Sequence, residues 1–340
     1  MTGTMIALDV MGGDDAPSAP LKGALNACSA LGAMRIAPER ILLVGDQPRI
    51  EELLEEHGGN PGFELLHATQ VIEMGDSPAQ ALRAKPDNSI SRCVGAIKAG
   101  HAGAVVSMGN TGAMVGAATL GLGTLAGVRR PGIAVTLELT GKPVTIIDMG
   151  ANISPKPEHL FIYGAMGAEY MKSCLGVRKP RVGLLNVGEE KGKGTDVLKE
   201  AYELFEQSPL DFAGNVEGSD IFRNRADVVV ADGFTGNVVL KLLEQFASFI
   251  MGAILMELQK HGAAWSAEAL RNLKRSIDYS SYGGALLLGV NGVVVIGHGR
   301  SDETAVANAI ALACRAIDAR VNEHIERGLA GAAHPPATTS

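Results

Sequence analysis

The residues with chemistry in reach sit in short turns rich in Gly, Asn and Asp. Asp9 leads into Met11-Gly12-Gly13-Asp14-Asp15, and Met108 into Gly109-Asn110-Thr111-Gly112. Further along come Asp148-Met149-Gly150-Ala151-Asn152, the stretch from Asn186 through Gly188, Lys191, Lys193 and Gly194, Asp232-Gly233-Phe234-Thr235-Gly236-Asn237, and Gly297-His298-Gly299-Arg300. Glycine lets backbone N–H groups approach a ligand closely, and a helix that starts just past such a turn attracts anions. One turn of this kind reads as an ordinary turn. Six of them point to a phosphate or a phosphate-bearing molecule. His298, between two glycines, is the one histidine singled out.

Other chemistries fail on spacing. Gly121 through Gly127 is one residue too long for a dinucleotide fingerprint, and Gly188 through Thr195 lacks the Lys-Ser/Thr ending of a P-loop. Ser107 has Val105 where a nucleophile elbow needs Gly. No H-E-x-x-H occurs, and the 8 His show no metal spacing. The 4 Cys (Cys28, Cys93, Cys174, Cys314) are far apart with no C-x-x-C, which argues against a zinc ribbon and suits a reducing cytoplasm. A net charge of −7 and 4% aromatic residues argue against a nucleic-acid binder. No signal peptide is expected from the first residues, and no run of about 18 uncharged apolar residues is found.

These turns need elements to position them. Short apolar runs at 5–10, 41–45, 104–107, 133–137, 144–148, 182–187, 228–231 and 293–297 predict strands, several buried on both faces. Helical patterns fall at 17–32, 47–57, 87–99, 156–174, 196–207, 237–260, 267–276 and 302–326, the last with Ser301 as its expected N-cap. The alternation predicts an α/β fold, and the six turns fall at strand C-terminal ends, where open α/β sheets place ligands. Residues 1–328 read as a single α/β/α catalytic unit, of one lobe or two, and 329–340 as a disordered tail.

The same residues resemble the PlsX-type phosphate acyltransferases. The likeness runs from Ile6-Ala7-Leu8-Asp9-Val10-Met11-Gly12-Gly13-Asp14 through Gly109-Asn110-Thr111-Gly112-Ala113, Asp148-Met149-Gly150-Ala151-Asn152 and Leu184-Leu185-Asn186-Val187-Gly188-Glu189-Glu190 with Lys193-Gly194. It continues in Gly214-Asn215-Val216-Glu217-Gly218, Asp232-Gly233-Phe234-Thr235-Gly236-Asn237-Val238, Tyr282-Gly283-Gly284-Ala285 and Gly297-His298-Gly299. Met108 and Leu286 stand where the family often has Ala and Pro. The resemblance implies a three-layer α/β/α sandwich with a large mixed, mostly parallel sheet, similar to isopropylmalate dehydrogenases and phosphotransacetylases. It implies transfer of a fatty acyl group from acyl carrier protein to inorganic phosphate, the acyl phosphate then serving phospholipid synthesis. It also implies a homodimer, with no redox cofactor and no metal.

For that reaction phosphate is itself the nucleophile, so the protein has to hold it against the thioester carbonyl and stabilise an oxyanion. Lys193, Asn110, Asn186, Asp232 and His298 are the catalytic candidates. Asp9, Gly12, Gly13, Gly109, Thr111, Gly112, Asn152, Gly236 and Asn237 are the candidates for holding phosphate or acyl group. Lys193 as a solvated surface lysine and Asp9 as a turn cap are the plainer alternatives, and Lys191 is the plainer member of its pair. A phosphotransacetylase-like enzyme using acyl-CoA and a non-catalytic phosphate-binding protein also remain open. Residues 245–256 are 12 uncharged residues, about 18 Å of helix and too short to span a bilayer. Two readings stand: a helix buried against the sheet and a dimer partner, or an apolar projection reaching Trp265 that touches the inner membrane surface beside a membrane acyltransferase.

Overall fold

Strands of this chain are apolar at nearly every position, so they settle where helices cover both faces. The computed structural model describes residues 4–29, 35–138, 141–260 and 283–332. Along the chain run β1 (Ile6–Asp9), α1 (Ser18–Ser29), β2 (Ile41–Gly45), α2 (Gln47–Glu56), β3 (Glu64–His67), α3 (Pro78–Ala84), α4 (Ser89–Lys98), β4 (Ala104–Ser107) and α5 (Thr111–Leu122). There follow β5 (Gly132–Glu138), β6 (Pro143–Ile147), α6 (Pro157–Leu175), β7 (Arg181–Leu185), α7 (Asp196–Glu206), β8 (Asp211–Val216), β9 (Val228–Val230) and α8 (Gly233–Lys260). Last come β10 (Ala285–Leu288), β11 (Val293–Ile296), α9 (Glu303–Asp318) and α10 (Val321–Ala332).

The chain forms two compact units, Met1–Pro131 with Tyr282–Glu326, and Gly132–Ser281 with Arg327–Ser340. In the first, the strand order is β3-β2-β1-β4-β11-β10. All its neighbours pair parallel except β10, which runs antiparallel to β11. Every residue of β1, β2, β4 and β11 is buried. Helix α9 packs on α1 and on β1, β4 and β11, while α4 and α5 pack together and on the same sheet. In the second unit the order is β5-β6-β9-β7-β8, parallel except for the β5–β6 hairpin. Tyr163 and Phe205 are fully buried there, with Phe205 stacked on Phe212 at 5.0 Å. Mostly parallel, mixed sheets with helices on their faces are the expected α/β architecture.

The differences from expectation have local causes. β3, β8 and β10 were not expected: β3 is half exposed, and β8 carries Gly214 at φ +84° and lies beside a register shift in β7. β10 is four residues behind a glycine pair. Helices α3 and α5 were missed as well. Asp302 rather than Ser301 caps α9, its Oδ1 accepting the Ala305 N–H at 2.9 Å. The helix expected over 302–326 breaks at Arg320, whose φ is +48°. Helix α10 continues through Ala332, beyond the expected start of a disordered tail at 329. The helix expected at 267–276, Trp265 and residues 333–340 lie outside the described residues.

Helix α8 begins at Gly233, before the expected 237, because Asp232 caps it: the Asp232 carboxylate accepts the Thr235 N–H at 2.8 Å and hydroxyl at 2.7 Å. The segment Gly233–Leu258 is long and apolar enough to cross a membrane by length and composition, yet little of it is buried. Among the described residues Phe246, Phe249, Leu255 and Met256 are exposed.

Candidate active site

In the first unit three adjacent parallel strands end side by side. Asp9 stands in register with Ser107, and Ser107 with Ile296. Asp9 is buried; its Oδ2 accepts the Ser107 hydroxyl at 2.7 Å and its Oδ1 the Met11 N–H at 3.2 Å. Ser107 Oγ in turn accepts the Gly109 N–H at 3.0 Å. Burial pushes the Asp9 carboxyl above its ordinary pKa, against hydrogen bonds from Ser107, Ser89 and the Met11 and Gly12 amides. Gly12 has to be glycine, since a Cβ there would lie 2.6 Å from Asp9 Oδ2 and 2.7 Å from Gly109 N. The Asp14 N–H donates to Gly299 O at 2.7 Å and the Gly297 N–H to Ser107 O at 2.9 Å. Asp9, Gly12, Gly13, Gly109 and His298 are thus brought to one edge.

Asn110 corrects an expectation. Its Oδ1 accepts the Ala113 N–H at 3.0 Å and caps α5, while its Nδ2 donates to the carbonyls of Glu73, Met74 and Asp76 at 3.2, 3.2 and 3.0 Å. A side chain so engaged ties the 73–76 loop to the helix and has no proton left for a substrate. Thr111 and Gly112 are exposed at the start of α5, where first-turn amides have no intrahelical acceptor. His298 is half-buried, and its Nδ1 accepts the Arg300 N–H at 3.1 Å. In the neutral ring that bond puts the proton on Nε2, the tautomer a donor role requires.

The second unit repeats the arrangement around Asp148, which follows β6 and is buried. Its Oδ1 accepts the N–H groups of Ile133, Gly150 and Ala151 at 3.0, 3.1 and 2.9 Å, and its Oδ2 that of Asn152 at 2.7 Å. Burial again raises its pKa, and these amides oppose the shift. The start of α8 presses on this loop: the Gly233 N–H donates to Asn152 O at 2.9 Å, and a Cβ on Gly233 would lie 2.7 Å from Asp148 Oδ2. A Cβ on Gly236 would collide with the Asp148 carbonyl. Asn152 Nδ2 reaches Tyr163 Oη at 3.3 Å, and Asn237 is exposed beside Gly150. Asp232 caps α8, as above, with one hydrogen bond to each carboxylate oxygen.

Lys193 lies in the turn after β7, the neighbour of β9. Its side chain is 52% exposed, and its Nζ lies 4.0 Å from Glu190 Oε1. Lys191, by contrast, pairs with Glu206 at 2.5 Å and lies over the Tyr202 ring at 5.4 Å. The Lys193 turn is pinned from below. Asn186 Nδ2 donates to Lys193 O at 3.1 Å, and Asn215 Nδ2 donates to Glu190 O at 2.9 Å, the carbonyl that also accepts the Lys193 N–H at 3.0 Å. Asn186 therefore holds the turn with one proton of its amide NH2 and keeps the second. Ser107 and Asn215 were not singled out by sequence; only their places at a strand end and within Gly214-Asn215-Val216 could have marked them. Among the described residues no cluster of three or more His, Cys, Asp or Glu is placed to hold a metal.

Strand-end turns of this kind on mostly parallel sheets define a class. The fold is similar to a phosphotransacetylase from Streptococcus pyogenes (TM-score 0.60, 18% identity, 94% of this chain and 95% of that one). It is also similar to the EutD phosphotransacetylase from Staphylococcus aureus (TM-score 0.59, 15% identity, 92% and 94%). In sequence, the family described as "Fatty acid synthesis protein" matches residues 4–324. A "Phosphate acyltransferase" of Heliobacterium modesticaldum is 44% identical over 94% of this chain and 97% of its own. Another, of Thermosynechococcus vestitus, is 42% identical over 96% and 95%. The chain belongs to this fatty acid synthesis protein family.

Proposed function

We propose that this chain transfers a fatty acyl group from acyl carrier protein to inorganic phosphate, releasing acyl phosphate for phospholipid synthesis. The observation that carries the reading is the match over nearly the whole chain to relatives named phosphate acyltransferase. The half-exposed Lys193 supports it as a cation for phosphate; separately, within the first unit, the exposed first-turn amides of Thr111 and Gly112 form a turn of the kind that takes an anion. A phosphate oxygen attacks the thioester carbonyl carbon. The C–O bond forms, the C–S bond breaks, and the sulfur leaves with the electron pair and takes up a proton. The enzyme works in the cytoplasm as a homodimer, with the exposed end of α8 in reversible contact with the inner membrane near the acyltransferase that consumes its product. The first turn of α8 is built into the Asp148 loop, and Lys241 and Glu244 pair at 2.9 Å. The uncharged part beyond them is too short to span, which supports a peripheral contact.

The test is thioester loss with and without phosphate, using palmitoyl-carrier protein and palmitoyl-CoA. Phosphate-dependent loss with the carrier-protein donor, and acyl phosphate trapped by hydroxylamine, is the expected result. Turnover with CoA alone would favour the phosphotransacetylase-like reading, and saturable phosphate binding without turnover the non-catalytic one.

A further inference from the structure

The second unit exposes a large apolar side chain at the C-terminal end of each of four adjacent strands. Ile153 follows β6 and is 69% exposed, Phe234 follows β9 at 65%, Val187 follows β7 at 83% and Phe222 follows β8 at 48%. These strands are parallel and in register, Ile147 with Val230, Val230 with Leu184, and Leu185 with Val216, so their ends share one edge. Hydrogen bonds draw the four into two pairs. The Gly233 N–H to Asn152 O bond at 2.9 Å sets Phe234 beside Ile153. Arg225 pairs with Glu189 and, at 3.5 Å, with Asp220, tying the turn that carries Phe222 to the loop that carries Val187. That loop also carries Lys193.

Exposed Ile, Val and Phe at ligand-binding strand ends cost free energy in water and gain it under an apolar ligand. We propose that Ile153, Val187, Phe222 and Phe234 form the surface over which the donor's fatty acyl chain lies, and that they set a preference for long chains over acetyl. The inference rests on the acyl-transfer reading above, which supplies an apolar ligand at this edge. Three inter-strand spacings make the rim about 14 Å long, room for a long alkyl chain and far more than acetyl needs. Lys193 follows the third strand in that row, so the same edge presents a cation to phosphate and an apolar rim to the chain.

The test measures kcat/KM for palmitoyl- and acetyl-carrier protein at saturating phosphate, in wild type, in Ile153→Ser, Val187→Ser, Phe222→Ser and Phe234→Ser, and in the fourfold variant. Leu120→Ser, at an 84% exposed apolar residue of the first unit, is the control. Each rim variant should lose about tenfold with the palmitoyl donor, the fourfold variant more, and none should change with the acetyl donor or differ from wild type in thermal midpoint. An unchanged palmitoyl-to-acetyl ratio in the active fourfold variant overturns the rim and leaves the acyl-transfer reading standing. A wild type that transfers neither group to phosphate overturns both.

Discussion

Asp9 and Asp148 occupy corresponding places, each buried at the C-terminal end of a parallel strand with a glycine turn beyond it, but their partners differ in kind. Asp148 is held by four backbone N–H groups, which can only donate. Asp9 is held by the Ser107 hydroxyl as well as by backbone amides, with Ser89 as a further side-chain partner. A hydroxyl can turn and accept, whereas an amide cannot. The second unit therefore fixes a carboxylate as the centre of its turn, and the first tolerates a change in which atom carries the proton. Both aspartates shape turns, each within its own unit.

The comparison breaks most visibly at Asp148. Asp148→Ala takes the acceptor from one buried N–H group, that of Ile133, and from three half-buried ones, at about 1–3 kcal/mol for the buried group and less for the others, so the variant should lose about 3 kcal/mol or more in urea titration. Asp148→Asn keeps one acceptor but aims an amide NH2 at an N–H donor, for an expected loss of about 2–3 kcal/mol. A midpoint near wild type for Asp148→Asn would show that the four amides do not demand a carboxylate. Asn110→Ala comes next. It removes the α5 cap and the bonds to the 73–76 loop, with an expected cost of about 1–2 kcal/mol by thermal or urea unfolding. If phosphate-dependent turnover fell while stability held, Asn110 would be a donor to substrate after all.

Asp9→Asn should be the mildest of these, within about 1 kcal/mol at neutral pH, because Ser107 can reverse its hydrogen bond. Its pH dependence sharpens the contrast. Asp9 has a folded pKa raised above the ordinary 3.8, so in the window above 3.8 the folded chain holds a proton the unfolded chain has released. Stability from that proton is present at low pH and is lost as pH rises through the folded pKa. Urea midpoints measured at rising pH should therefore shift in favour of Asp9→Asn relative to wild type. A difference that stays flat with pH, or one that moves the other way, would contradict the raised pKa.

Sequence patterning reached β1, β2, β4, β5, β6, β7, β9 and β11, which are buried at all residues or all but one, because continuous apolar runs are what two covered faces require. β10 is buried throughout too, but its four residues sit directly behind a glycine pair and were missed. Patterning also missed β3, whose half-exposed residues give no such run, and β8, where Gly214 at φ +84° interrupts the pattern. It missed α5 because Thr111–Leu122 is uniformly small and apolar with no polar face to set a period. The strand-end turns of the site were legible from their glycines. That Asn110 spends its side chain on backbone groups was not, since its partners lie some 35 residues away in sequence. Lys191 and Lys193 show the same limit, as only Glu206 and Tyr202, folded back on α7, separate the paired lysine from the open one.

Steady-state phosphate dependence of Lys193→Ala against Lys191→Ala, with a fatty acyl-carrier-protein donor, tests most directly the proposal that phosphate meets an exposed turn group and not a buried aspartate. Lys193→Ala should keep the wild-type thermal midpoint and lose about 10²-fold or more in kcat/KM for phosphate, while Lys191→Ala stays within a few-fold of wild type. Wild-type phosphate dependence in Lys193→Ala, or an equal loss in both variants, would contradict it.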